Sequence, residues 1–160
     1  MRKPHWLLIL LLSAIPCVAQ MNVTEYRGFL RQLDTSAASW EGRITSLDIQ
    51  DLNVTFSVGK AIELQKEGAL KHLKFVRRVI AQQLTQERLS SDVSMLMSLE
   101  DVNALVSGIH SLLPNTEQAA RWGQAIPSLT EEIGNSQLPL EKHTLQYADQ
   151  LQDKAARCSK

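Results

Sequence analysis

Cysteine is almost missing from this chain: there are two, Cys17 and Cys158, and Cys17 lies in a segment that reads as removable. One remaining cysteine cannot staple a domain from within. A disulfide scaffold is therefore excluded, and the fold must rest on apolar packing. An excess of one charge is missing too, with 17 lysines and arginines against 17 aspartates and glutamates. That balance does not suit a nucleic-acid partner. Beyond the N-terminal segment no apolar run is long enough to cross a bilayer, so no stable membrane span is expected.

The familiar catalytic signatures are also missing. There is no Gly-x-Ser-x-Gly, no phosphate-cradling glycine loop and no dinucleotide fingerprint. Neither His-Glu-x-x-His nor His-x-x-x-His occurs, which removes the common helical zinc pattern, and Cys-x-x-Cys-His, the c-type haem attachment, is absent. A di-iron helical bundle needs a glutamate three residues before a histidine on each of two helices. Before His72, His110 and His143 those positions hold Ala69, Ser107 and Leu140. Met95 and Met97 could suggest thioether copper ligands, but two residues apart they diverge on a helix, and core packing explains them better. Adjacent Glu131 and Glu132 cannot face one substrate atom, and carboxylates near a helix start serve its dipole. Trp40 and Trp122 are the aromatic pair that could stack on a sugar, and equally ordinary core residues. The expectation is a protein with no catalytic activity, no cofactor and no metal.

What is present begins with an address. Arg2 and Lys3 precede the unbroken apolar run Trp6 to Leu12; Pro16 ends the apolar stretch, and small residues close it at Ala19. This is the three-part pattern of a secretory signal peptide over residues 1–19, and it implies export to the periplasm or the extracellular space. Pro16 stands before Cys17 where a lipoprotein would carry a small residue, which argues against lipidation there. The remainder, residues 20–160, is the size of one domain with a real core. Its formal charge is −2 once Arg2 and Lys3 are gone.

The strongest helical signal runs from Ala69 to Leu89, with no glycine or proline. Ala69, Leu73, Val76, Ile80 and Leu84 recur at steps of four and three and share one side, which Phe75 and Val79 widen. Asn22 with Glu25 reads as a capping box opening a first helix that ends at Gly42. Residues 43–60 are ambiguous. A cap at Thr45 suggests helix, whereas the alternation from Leu52 to Val58 suggests a strand; helix is preferred, because a lone strand has no evident partner. Gly68 reads as a kink or break. New starts are expected at Asp92, at Ser98 and after Pro114. Pro127 reads as a break, Gly134 with Asn135 as a stop, and Pro139 as the start of a last helix whose stripe is Leu138, Leu145, Ala148, Leu151, Ala155 and Cys158. The expected class is all-α, an irregular bundle of five or six helices after the signal peptide. Asn22-Val-Thr and Asn53-Val-Thr are both glycosylation sequons, of consequence only in a eukaryotic source.

Two features carry a functional expectation. From Lys60 to Arg88 seven basic residues face three glutamates, a local +4; Lys71, Lys74 and Arg78 line a side distinct from the apolar one. They are the candidate binding residues, for an acidic partner or an anionic envelope surface, although Glu67 is placed to pair with Lys71 as on any solvated helix. Cys158 is the candidate for an intermolecular disulfide and a linked dimer, or packs as a small apolar residue. The functional expectation is an exported, soluble helical interaction or binding module, its partner another envelope protein or envelope component. The alternative is a carrier of a small ligand or metal within the bundle, with His72, His110 or His143 as ligands.

Overall fold

The computed structural model describes residues 23–86 and 93–158, and within them every side chain except those at 51, 118 and 147–158. Among the described residues there are four α-helices and no strand: α1, Val23–Thr45; α2, Phe56–Thr85; α3, Val93–Leu112; and α4, Glu117–Cys158. A one-turn 3-10 helix, Ile49–Leu52, lies between α1 and α2.

The four helices are built on one spacing. The buried residues of α1 are Tyr26, Leu30, Leu33, Ala37, Trp40 and Ile44, alternating steps of four and three. Ala69, Leu73, Val76, Ile80 and Gln83 continue the same rhythm on α2. Met95, Leu99, Val102, Val106 and Ile109 do so on α3. Ala119, Trp122, Ile126, Leu129 and Ile133 do so on α4, with Leu140 a full seven residues further on. This average period keeps each seam facing its neighbours along the whole helix, as in bundles with coiled-coil-like packing. The buried side chains form one hydrophobic cluster.

Side-chain contacts give the directions. Arg77 of α2 meets Asp34 of α1, while Lys66, lower on α2, meets the carbonyl of Thr45 at the other end of α1. Trp40 and Tyr26 of α1 meet Glu132 and His143 of α4. On α2 and α3, Gln65 lies against Gly108, Gly68 against Leu105 and His72 against Asp101. Each pair runs antiparallel, giving an up-down-up-down bundle in which α1 also borders α4.

Among the described residues the helices number four, where five or six were expected. Gly42, Gly68, Ser98, Pro127, Gly134 and Pro139 all lie inside helices. A proline within a helix removes one hydrogen bond and crowds the carbonyl four residues back, at about 3 kcal/mol. Yet Trp122, Ile126, Leu129, Ile133 and Leu140 are buried on one seam across both prolines of α4, and a seam of that length outweighs the local penalty. Gly68 is kept within α2 by packing, since a Cβ there would stand 3.1 Å from Leu105 Cδ1.

Residues 43–60 divide in a way neither expectation anticipated. Helix α1 runs on to Thr45, Asp48 caps the 3-10 turn by accepting from the Gln50 amide at 3.0 Å, and Asn53 ends it in the left-handed region at φ 46. Thr55 is then the extended residue before α2. The alternation that suggested a strand puts Leu52 in the core and leaves Phe56 89% exposed, so the two face opposite ways despite their even spacing. The final stripe is corrected at its first two members, while the side chains of Ala148, Leu151, Ala155 and Cys158 lie outside those described. Leu138 and Leu145 are 67% and 57% exposed, and the seam passes instead through Leu140 and Thr144. Elsewhere the boundaries agree: α3 stops two residues before Pro114, and Thr116 Oγ1 accepts from the Ala119 amide at 3.3 Å to open α4. The signal peptide, Cys17, the cap at Asn22 and the cap at Asp92 lie outside the described residues.

Candidate functional site

The basic stretch of α2 separates into residues that hold the bundle and residues that do not. Lys66 donates to the carbonyls of Thr45 and Leu47 at 2.9 and 2.7 Å, satisfying acceptors that the end of α1 leaves open. Arg77 reaches Asp34 at 3.0 Å and Glu41 at 3.1 Å, and these two hydrogen bonds raise its pKa. Lys60 pairs with Glu63 on the same helix at 2.8 Å; the bond raises the lysine's pKa and lowers the glutamate's. Lys71 pairs with Glu67 at 3.3 Å, both side chains largely in solvent, an arrangement worth a few tenths of a kcal/mol. Lys74 and Arg78 are exposed and make no ion pair among the described residues.

Lys71 stands on the rim of an open groove of about 460 Å³ between α2 and α3, lined with Phe75, His72, Ser94, Met97, Ser98 and Asp101. The antiparallel register brings α3 to Lys71, with His72 Nδ1 3.5 Å from Asp101 across the seam. Further along the same seam a second hollow runs between Gln65, Ala104, Leu105 and Gly108. The Gln65 side-chain carbonyl occupies the place where a Cβ on Gly108 would stand, so the helices approach closely there. Phe75 is 38% and Met97 60% exposed. The groove thus offers apolar surface with a cation on its edge.

Phe75 was expected on the buried stripe of α2 and lies instead at its margin. Its spacing does not distinguish the two, because a seven-residue repeat leaves the residue beside the seam to be covered or bared by its neighbour. Met95 and Met97 do diverge, as their spacing requires: Met95 is buried and Met97 exposed. The α3 side of the groove escaped sequence reasoning altogether. Its signal was a second stripe, Ser94, Met97, Asp101, Ala104 and Gly108, at helical spacing opposite the apolar seam.

The histidines do not converge. His72 faces Asp101, His110 is exposed, and His143 sits 5.0 Å from the ring of Tyr26 and 5.3 Å from that of Phe29. Burial lowers the pKa of His143; Glu25 opposes that shift and Lys142 reinforces it. Among the described residues no three histidine, cysteine, aspartate or glutamate side chains are grouped to hold a metal ion. Trp40 and Trp122 are buried, and Trp40 donates to Glu132. Cys158 is the last residue of α4, and its side chain lies outside those described. Among the described residues no helix is long and apolar enough to cross a membrane.

Comparison with protein-family models, with curated proteins and with solved structures finds no match to this chain.

Proposed function

We propose that this protein is an exported, non-catalytic helical binding module that engages an envelope protein or other envelope component through the α2–α3 face. One observation carries the reading. Phe75 and Met97 stand exposed across a groove with Lys71 on its rim; Lys74 and Arg78, outside the groove lining on the same helix, are exposed and have no ion-pair partner among the described residues. Elsewhere on α2, Lys66 and Arg77 are taken up by contacts to α1. Exposed apolar side chains ringed by charge are what a docking surface presents. The signal-like N-terminus supports export.

Photo-crosslinking residues placed singly at Phe75 and Met97, in cells that export the protein, test this reading. Discrete adducts from both positions, lost when Lys71, Lys74 and Arg78 are all changed to glutamate, are the expected result. Absence of any adduct from either position overturns it. The mass of the exported chain tests the leader separately, the expected N-terminus being Gln20.

A further inference from the structure

We propose that the α2–α3 face is self-complementary and that its occupant is a second copy of this chain, related by a two-fold axis lying along the groove. The proposal rests on the reading of this face as the binding surface and names the partner.

The register of α2 against α3 sets the contacts. Gln65 with Gly108, Gly68 with Leu105 and His72 with Asp101 fix which residues of α2 and α3 lie at the same height. Carried one turn further, the same register sets Phe75 level with Met97 and Ser98, and Lys74 level with Glu100. A two-fold axis parallel to the groove lays α2 of one copy over α3 of the other without changing height. Phe75 of each copy then falls on Met97 of the other, so the two exposed apolar groups cover each other twice.

The charges agree. Glu100 and Asp101 are the only acidic residues of α3, which carries no lysine or arginine. At that height α2 presents Lys71 and Lys74. Glu100 and Lys74 make no ion pair within the chain among the described residues. The two-fold operation brings Lys74 of one copy to Glu100 of the other, and Lys71 to Asp101, in both directions at once. The alternative axis, across the helices, would stack α2 on α2 and set lysines against lysines. Isologous contact therefore favours the axis along the groove. The footprint is adequate: two helices about 30 Å long and about 10 Å wide cover on the order of 600 Å² per copy, at the lower edge of specific interfaces.

Sedimentation of the mature protein at tens of micromolar, with reductant present to exclude a Cys158 link, gives the first test. The expected species has twice the chain mass. Lys71→Glu with Lys74→Glu in one variant, and Glu100→Lys with Asp101→Lys in another, should each sediment at the chain mass. An equimolar mixture of the two should return to twice the chain mass, because each now carries a single sign that the other lacks. A second measurement does not depend on those variants folding. In a Cys158→Ser background, Phe75→Cys and Met97→Cys chains should form a covalent dimer under mild oxidation only when mixed. A wild-type chain that sediments as a monomer, a dimer that survives both charge reversals, or a mixture that gives no cross-link overturns the proposal. If the wild type is a monomer and photo-adducts at Phe75 contain a different protein, the second copy is wrong and the binding face stands. Monomer without adducts retires both.

Discussion

The indole N–H of Trp40, on α1, donates to the carboxylate of Glu132, on α4, at 3.2 Å. The same carboxylate takes Arg43 Nη1 at 2.7 and 2.8 Å and the Ser128 hydroxyl at 3.2 Å. The Arg43 hydrogen bond is the main cause of a lowered Glu132 pKa. The buried ring of Trp40 has its one polar atom pointed at this carboxylate, so Glu132 ties α4 to the C-terminal part of α1. Replacing Glu132 by alanine strands the indole donor and should cost about 1–2 kcal/mol in urea unfolding. Glutamine keeps an acceptor for Trp40 and should lose less. Because the folded pKa is depressed, this contribution is present above the ordinary value of 4.5 and is lost as pH falls through the folded value.

Arg77 bridges Asp34 and Glu41, one heptad apart on α1, from a half-buried position on α2. The guanidinium fork reaches the two carboxylates from separate nitrogens, Nε to Asp34 and Nη1 to Glu41, whereas a lysine would have to bring both to one nitrogen on a shorter, unforked head. Arg77→Lys should therefore lose most of what Arg77→Met loses, about 1 kcal/mol after allowance for solvent screening. Thermal unfolding of both variants at low and high salt checks this. A lysine variant as stable as wild type would show that one bond of the two suffices.

The seams of the bundle could be read in advance, and its breaks could not. Ala69, Leu73, Val76 and Ile80 are all buried as their spacing requires. Gly42, Gly68, Pro127 and Pro139 carry local signals for ending a helix, and each is overruled by packing spread over many turns. The candidate site was half visible. Lys71, Lys74 and Arg78 stand out by composition, whereas Met97, Glu100 and Asp101 join them only through the register of α3, which depends on close approaches at Gly68 and Gly108.

Pro127 measures how strongly packing prevails. It is an exposed residue inside α4, and its ring excludes a hydrogen bond to the carbonyl of Gly123. Pro127→Ala restores that bond without touching the seam. Stability should rise by about 1–3 kcal/mol, reduced by the greater freedom of the unfolded chain. If the variant is destabilised instead, the proline shapes α4 in a way its neighbours require.

At the opposite end of α1, His143 and Thr144 place polar atoms where little receives them. His143 Nδ1 and Thr144 Oγ1 are both buried without a hydrogen-bond partner among the described residues. Thr144→Val keeps the shape and removes an undischarged hydroxyl, so stability should rise by about 1 kcal/mol. His143 carries the pH dependence. Burial between Tyr26 and Phe29 holds its pKa below the ordinary 6.5, so the folded state favours the neutral ring while the unfolded chain takes up a proton more readily. The stability it supports is complete above 6.5 and falls as the solution is acidified through the folded value. Urea midpoints between about pH 7.5 and pH 5.5 should drop for the wild type and drop less for His143→Phe, which fills the same space without a titrating group. Parallel curves for the two proteins would assign the acid sensitivity to other groups and leave His143 a packing residue.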